Sequence, residues 1–466
     1  MPSSPAPVFP KQCAAKPKRL ERNWWTCRRS NLARHARLLQ GWMTGVIISM
    51  NHKIASLWRN RDFLKLWSGQ TVSMFGSLIT RTALPFTAIL VLKASPFQMS
   101  LLLAADLVPG FVMGLVAGVW VDRLRRRPIM IGADLGRAVL LVSIPVAASL
   151  GLLHIGQLYA VALLTGSLTV FFDVAYRSYL PTLVRREQLV EANSRLTATA
   201  SAAEVGAFGI GGWLVQLFSA PLAILIDSFS FLCSAVFVGL IRTSEPPPLP
   251  KTERKGLLPE IGEGLRVVLG DPFLRVMAGC AVAVELHFGV FGTLFLLYTS
   301  RELGFEPGLL GLIFAVGGLS SLLGASVAGP SARWLGIGRA MTLGLLLFSL
   351  AGLLAPFARG ATVFAAVLLI AQQVFGDGAF TAYEVNQISL RQVIAPSQML
   401  GRVNASMQFA SLVATVIGSL VGGLLGEAVG LRSTLVIGAC VTLPAVLWLM
   451  LSPLQTVEDQ PNTYKA

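Results

Sequence analysis

Long apolar runs alternate with short polar segments along most of the chain. About 20 residues at a helical rise of about 1.5 Å cover the roughly 30 Å hydrocarbon core of a bilayer. Runs of that length predict helices at 64–92, 97–121, 129–151, 155–176, 196–218 and 221–241, and again at 274–299, 307–331, 337–357, 361–385, 404–426 and 430–452. The pattern predicts an all-α membrane protein whose twelve transmembrane helices form two pseudo-symmetric six-helix bundles.

A polar segment at 242–271 separates the two sets of runs. Three successive prolines at 246–248 cannot continue a helix, so this segment is predicted to be a linker. Its second part carries Glu260, Glu263 and Arg266 on one side, which indicates an amphipathic surface helix at 257–269. The predicted regions are listed in chain order: a basic disordered tail or an over-called start at 1–50, a bundle at 51–241, the linker at 242–271, a bundle at 272–455 and a C-terminal tail at 456–466.

The two halves share a weak internal repeat. Ala117-Gly118 recurs 211 residues later as Ala328-Gly329, and the same offset relates Asn193 to Asn404 and Gly211-Gly212 to Gly422-Gly423. Many secondary transporters are built from paired halves with a binding site between them at the bilayer midplane. The repeat therefore favours a transporter.

Composition agrees with lipid as the solvent. The chain is 54% hydrophobic and 13% charged, whereas soluble domains carry roughly 25% charged residues. A net charge of +15 would suggest nucleic-acid binding in a soluble protein. Nine of the 38 Lys and Arg residues lie in the first 50 positions, and most others lie in alternate loops. The charge therefore indicates topology and attraction to anionic lipid headgroups, not a nucleic-acid partner.

Lys and Arg are concentrated in the loops after helices 2, 4, 8 and 10 and in the linker. The opposite loops carry four: Lys93, Arg301, Arg359 and Arg432. By the positive-inside rule, the basic loops and both termini are predicted to be cytoplasmic. The predicted location is a bacterial inner (plasma) membrane, with multiple passes.

The turn between helices 2 and 3 reads Gly118-x-x-x-Asp122-Arg123-x-x-Arg126-Arg127. It resembles the most specific short signature of the major facilitator superfamily, and 329–339 resembles the usual degenerate second copy. Segments at 57–70, 83–85, 179–193 and 392–403 are similar to the branch that contains macrolide efflux pumps and the enterobactin exporter. The resemblance implies the major facilitator fold and secondary active efflux, by alternating access and driven by proton entry.

The resemblance also implies an inner gate at this turn. Its proposed members are Gly118, Asp122, Arg123, Arg126, Arg127, Asp134 and Arg137. Asp122 can accept hydrogen bonds from the N–H groups that begin helix 3, and the arginines can pair with Asp134. A plain positive-inside anchor is the alternative for the loop, and a local structural pair at i,i+3 is the favoured interpretation of Asp134 with Arg137.

Charges within the apolar runs predict a transport site. Each costs roughly 2.5–3.5 kcal/mol at a helix centre, so each should face a cavity or a partner. Arg81 and Asp106 have similar depths, which predicts an ion pair or a proton site. Glu285, Asp377 and Asp106 are candidates for proton coupling, because a partly buried carboxylate can titrate near neutrality. Histidine has an intrinsic pKa in the right range, which makes His287 a further candidate, but a hydrogen-bonded helix contact is the alternative.

Gly206, Gly209, Gly211 and Gly212 predict close helix packing in helix 5. The five cysteines form no CxxC motif, and we find neither HExxH nor GxSxG, so no metal, cofactor or enzyme activity is expected. The expected protein is a monomer that exports a small amphipathic drug or siderophore in exchange for protons. An uptake permease or facilitator for a nutrient is the alternative, because fold does not settle direction.

Overall fold

The computed structural model describes residues 57–121, 124–185, 188–243, 245, 257–396 and 398–456. The chain divides into two units, Met1–Asn60 and Arg61–Ala466. The described part of the first unit is a short turn, in which the backbone N–H of Asn60 donates to the Leu57 carbonyl over 3.1 Å. The predicted tails, the prolines at 246–248, Asp122 and Arg123 lie outside the described residues.

Besides a short 3₁₀-helix, Pro453–Thr456, the described part of the second unit contains thirteen helices. In chain order they are α1 (Arg61–Val91), α2 (Pro96–Val121), α3 (Arg126–Ser149), α4 (Ile155–Leu183), α5 (Leu189–Phe218), α6 (Ala220–Gly239), α7 (Leu257–Gly270), α8 (Pro272–Glu302), α9 (Pro307–Leu335), α10 (Ile337–Phe357), α11 (Val363–Ile394), α12 (Leu400–Ala428) and α13 (Leu431–Met450). α1 and α8 each end in a π-helical turn, and α10 and α13 are each interrupted by a turn, at Leu353 and at 441–442. The predicted all-α class is confirmed.

Among the described residues, eleven helices are long and apolar enough to cross a bilayer. The twelfth predicted span is α5, which has 30 residues but only one clearly apolar part, Gly209–Phe218. Its first half carries Glu191 and Arg195, which form a half-exposed ion pair of 2.8 Å. At about 1.5 Å per residue α5 is still long enough to span the hydrocarbon core, so the structure agrees with a twelve-helix bundle.

Several helices extend further than their apolar runs predicted. α4 continues to Leu183 and α11 to Ile394, whereas the predicted ends were 176 and 385. A hydrophobic run marks only the part of a helix that contacts hydrocarbon. The additional turns contain polar residues, which hydropathy alone interprets as loop.

The helices pack mainly within two sets of six. In the first set α1 and α3 pack on α6, and α2 and α3 pack on α4; in the second, α8 packs on α12, and α9 and α10 pack on α11. The two sets meet where α2 contacts α12 and where α5 contacts α9. We call the end of the bundle where α1 begins and α6 ends the linker face, and the opposite end the distal face.

The apolar core is shared by the two sets near the distal face. The larger core cluster contains Ile79 and Leu102 from the first set together with Leu294, Leu310 and Leu435 from the second. The other described cluster, which includes Met277, Met341 and Met407, belongs to the second set. Packing therefore joins the sets more strongly at the distal face than at the linker face.

The amphipathic helix α7 lies against the start of α12. Glu263 forms a 2.6 Å ion pair with Arg402, and the Ser406 hydroxyl donates to the Ile261 carbonyl over 2.8 Å. An added Cβ on the buried Gly264 would lie 2.6 Å from the Arg402 carbonyl carbon. This close contact fixes the predicted surface helix to the second set of helices.

Candidate functional site

A cavity of about 290 Å³ lies between α8, α11 and α12. It is lined by Ala281, Val284, Glu285, Phe380, Tyr383, Glu384, Gln387, Ile388, Arg391, Asn404, Met407, Gln408 and Ser411. Arg391 and Asn404 are within about a turn of the linker-face ends of their helices, whereas Glu285 is 13 residues, or about 20 Å, along α8. The cavity therefore reaches from near the linker face into the depth of the bundle.

Glu285 is the deepest charged group in this lining. Its Oε2 accepts a hydrogen bond of 2.8 Å from the Thr415 hydroxyl of α12. Glu384 of α11 lines the same cavity and interacts electrostatically with Glu285. The cavity thus brings two carboxylates from different helices to one space.

Phe380 and Tyr383 line the cavity, and Phe380 contacts the rings of Phe288 and Phe348, which lie behind the lining; we call these rings the aromatic wall. The Phe380 ring centroid lies 5.0 Å from that of Phe288, 5.3 Å from that of Phe348 and 6.4 Å from that of Tyr383. Rings at these separations and tilts are favourably packed. The wall offers an apolar surface beside the charged groups.

Arg81 and Asp106 lie at matching depths, each about 15 Å from the distal end of its helix. Both are solvent-accessible, and no salt bridge within 4 Å joins these two described residues. Arg81 acts on Asp106 through a longer electrostatic interaction. The two side chains therefore form no contact ion pair in this conformation, and the alternative, a proton site at Asp106 influenced by Arg81, stays a prediction.

Asp377 lies at the contact between α11 and α9. It accepts a 3.2 Å hydrogen bond from Gln373 Nε2, and an added Cβ on Gly317 would lie 2.5 Å from that same nitrogen. Asp377 is half-buried and is not part of the cavity lining.

His287 is packed among aromatic rings. Its Nδ1 is 2.8 Å from the Gly438 carbonyl oxygen, and its ring is 4.7 Å from Phe348 and 5.0 Å from Phe291. The side chain is 2% exposed and does not line the cavity. Its surroundings match the alternative interpretation, a hydrogen-bonded helix contact.

Asp134 and Arg137 lie in a fully buried charge cluster of the first set. Arg137 pairs with Asp134, and its guanidinium carbon lies 4.6 Å from the Phe172 ring centroid and 4.0 Å from that of Phe231. Asp227 on α6 is also buried and interacts electrostatically with Arg137. In this structure Asp134 forms its ion pair with Arg137. The pairs of Asp134 with Arg126 or Arg127 that the proposed gate would allow are not formed among the described residues.

The linker-face end of α3 is capped by Glu245, a residue that the sequence analysis did not identify. The backbone N–H of Arg126 donates to both Glu245 oxygens over 2.7 and 2.9 Å, and the Arg126 side chain lies 3.8 Å away. Arg127 donates to the carbonyls of Val238 and Gly239 at the end of α6. The need for such a cap could have been recognised. α3 begins after Arg125 without a capping side chain, and the free N–H groups at the start of a helix favour a nearby carboxylate.

Two sets of hydrogen bonds join the helix sets at the distal face. Glu427 at the end of α12 accepts from the Ser95 hydroxyl over 2.5 Å. Gln216 at the end of α5 donates to Glu306 over 2.6 Å and accepts from the Gly308 N–H over 2.9 Å. We call these contacts the distal latches. They hold the α2–α12 and α5–α9 contacts together at that end.

The glycines of α5 differ in their surroundings. An added Cβ on Gly212 would lie 2.9 Å from the Gly311 Cα of α9, and one on Gly209 would lie 3.5 Å from the Ala315 Cβ. An added Cβ on Gly211 would lie 3.3 Å from the Thr82 hydroxyl of α1, whereas nothing lies within 4 Å at Gly206. Close packing therefore involves three of the four predicted positions.

Glu384 and Arg391 were also not among the predicted site residues. The apolar run ends near 385, which made Glu384 look like an interfacial charge and placed Arg391 in a loop. The polar turns of α11 carry both into the cavity lining. Within the described residues, no group of three or more His, Cys, Asp or Glu side chains is arranged to hold a metal ion.

Comparisons with known proteins agree with this architecture. The chain is 27% identical over 403 residues to the uncharacterized MFS-type transporter YfiS of Bacillus subtilis (strain 168), which covers 83% of this chain and 92% of that protein. It is 27% identical over 381 residues to the multidrug efflux pump Tap of Mycolicibacterium fortuitum, covering 80% and 90%. The crystal structure of the nucleoside transporter NupG superposes with a TM-score of 0.67 at 14% identity, covering 84% and 98%.

The sequence profile of the Major Facilitator Superfamily matches residues 66–411 and, in a second alignment, 288–464. The first match alone covers more than half of the chain. The superposition on NupG shows that the two proteins share a fold. The protein therefore belongs to the major facilitator superfamily and is a multi-pass membrane transporter.

Proposed function

We propose that this protein exports a small amphipathic compound by alternating access, in exchange for protons. The observation that carries the proposal is the cavity in which Glu285 and Glu384 stand beside an aromatic wall. Such a space can hold a compound with an apolar body and a charged or polar group. Similarity to the multidrug efflux pump Tap favours export over uptake.

The distal latches and the shared distal core support a closed distal mouth. The cavity extends toward the other end, with Arg391 and Asn404 near the linker face. If the linker face is cytoplasmic, as the basic loops predict, this conformation is the one that loads substrate from inside the cell. The transporter would act as a monomer in the bacterial inner membrane, with both termini in the cytoplasm.

Glu285 is the residue we assign to coupling. A carboxylate left without a partner inside the bilayer is costly, by about 2.5–3.5 kcal/mol on insertion scales. The Glu285 carboxylate is therefore most stable when it binds either a proton or the cationic group of a substrate. Because the two compete for this carboxylate, movement of the proton is coupled to movement of the substrate. Asp106, with Arg81, and Asp377 are the remaining carboxylate candidates, whereas the packing of His287 supports a structural role.

The inner gate is proposed for the turn that begins at Gly118. Arg126 and Arg127 already bind Glu245 and the end of α6, so this turn moves together with α3 and α6. Rocking of the first set would carry it toward or away from the second set. Charge pairs made by the turn would then favour one of the two conformations.

Transport into everted membrane vesicles under an imposed pH gradient tests the proposal. We expect gradient-dependent accumulation of an amphipathic amine dye, and a loss of at least about tenfold for Glu285→Gln. Glu302→Gln is the matched control, because it makes the same change on the same helix outside the cavity. Equilibration that is independent of the gradient would instead indicate a facilitator, and full activity of Glu285→Gln would remove Glu285 from coupling.

A further inference from the structure

The geometry points to a zwitterionic substrate, whose ammonium group binds at Glu285 and Glu384 and whose carboxylate binds at Arg391. The inference rests on the proposed function, because it names the substrate class of the same cavity. It depends on three observations: the separation of the charges, their unpaired polar neighbours and the apolar surface between them.

The charges in the cavity are separated rather than paired. Glu384 and Arg391 are seven residues apart on α11, so they lie on one face and about 10.5 Å apart along the helix axis. No salt bridge within 4 Å joins these two described residues, although they interact electrostatically. The second carboxylate, Glu285, lies deeper. The cavity thus has a negative inner end and a positive end near the linker face.

The positive end has unused hydrogen-bonding groups. Arg391 Nη1 contacts the weakly accepting Met407 sulfur at 3.4 Å, and Arg391 Nε has no hydrogen-bond partner. The Tyr383 hydroxyl is also without a partner, but Tyr383 adjoins Glu384 on α11 and is eight residues away from Arg391. Buried polar groups are normally paired, since leaving one unpaired costs about 1–3 kcal/mol. The unpaired guanidinium N–H of Arg391 therefore suits an anionic ligand group at this end of the cavity.

The negative end suits a cation. Glu285 accepts one hydrogen bond, from Thr415, which leaves further acceptor positions on its carboxylate. Glu384 faces the same space without a salt bridge to a described residue. Two carboxylates in one cavity repel each other, and an ammonium group between them relieves that repulsion.

Ala281, Ile388 and Met407 contribute apolar surface to the lining between the two ends, beside the amides of Gln387 and Gln408. On α11, Ile388 lies between Glu384 and Arg391, whereas Phe380 lies one turn beyond Glu384 on the distal side. A purely cationic substrate would leave Arg391 unpaired, and a purely anionic one would leave both carboxylates unpaired. A rigid aromatic zwitterion with its charges about 10 Å apart pairs both ends, and its body packs beside Ile388 and Met407.

The test uses 4′-(aminomethyl)biphenyl-4-carboxylic acid, an aromatic zwitterion of about that span, together with its methyl ester and its N-acetyl derivative. Binding is measured calorimetrically on the purified full-length protein in lipid nanodiscs. We expect the zwitterion to bind at least about tenfold more tightly than either derivative. Arg391→Gln should lower the affinity for the zwitterion to that for the ester, while the affinity for the ester stays unchanged. Glu384→Gln should lower the affinity for the zwitterion toward that for the N-acetyl derivative.

Arg275→Gln is the matched control, because Arg275 is an exposed arginine of α8 outside the cavity lining. Equal binding of ester and zwitterion, or an equal loss of both in Arg391→Gln, overturns the inference. Arg391→Lys should restore part of the preference, which separates loss of charge from misfolding. Gradient-driven export of an amphipathic amine with no preference for the zwitterion would refute the substrate class alone, whereas absence of gradient-driven export would refute the proposed function.

Discussion

Replacing Arg137 with methionine should strongly destabilise the first set of helices. Asp134 is 0% exposed and Arg137 is 4% exposed, and Asp227 lies buried nearby. Arg137→Met keeps a long side chain but removes the only described guanidinium that pairs with Asp134. The substitution therefore leaves carboxylates in the interior without a compensating cation.

Two contributions set the expected magnitude. Removing one partner of a buried ion pair costs about 3–5 kcal/mol, because the other charge stays buried and unpaired. The guanidinium also lies over the Phe172 and Phe231 rings, and each such contact contributes about 0.5–2 kcal/mol. Together these contributions predict that the free energy of unfolding falls by at least about 4 kcal/mol.

The assay is reversible unfolding of the purified protein in mixed micelles, arranged as a double-mutant cycle. Arg137→Met combined with Asp134→Asn should recover about 2 kcal/mol or more of the loss, since the unpaired carboxylate is removed together with its partner. Glu191→Gln is the control, because its half-exposed pair with Arg195 should contribute about 0.5 kcal/mol or less.

A loss below about 1 kcal/mol for Arg137→Met would refute the argument from uncompensated burial. So would a double variant that is no more stable than Arg137→Met alone. Either result would mean that water or another cation compensates Asp134.

Three further predictions concern helix contacts outside the cavity. Gly212→Ala should abolish most transport in vesicles, since its Cβ would approach Gly311 across the α5–α9 contact. Gly206→Ala should retain transport, and equal losses in the two variants would contradict the argument from close packing. Glu427→Gln should weaken a distal latch and raise the population open at the distal face, as measured by spin-label distances between the ends of α2 and α12; an unchanged distance distribution would exclude this latch. Glu245→Ala should lower the free energy of unfolding by about 1 kcal/mol, because α3 loses its capping carboxylate. Glu245→Gln should lose less of this free energy, and no change in Glu245→Ala would show that solvent caps α3 equally well.

The sequence predicted the parts of the fold that depend on local chemistry. Apolar runs located the membrane helices, and the prolines and charges of 242–271 predicted a linker followed by the amphipathic helix α7. Helix ends were less accurate, because the polar turns of α4 and α11 resemble loops when hydropathy is considered alone. The same limitation hid Glu384 and Arg391, which required the helical phase of α11 to bring them into the cavity.

The sequence by itself determined that most of the chain is embedded in a membrane, because the hydropathy of a segment does not depend on its tertiary contacts. It also identified Glu285 as a costly charge that requires a cavity or a partner. Which distant side chains meet was decided only by tertiary structure: His287 packs against Phe348 of another helix, and Glu245 caps α3. The physical reason is that these contacts join segments distant in sequence, so helix rotation and packing, rather than local composition, set the distances between charges.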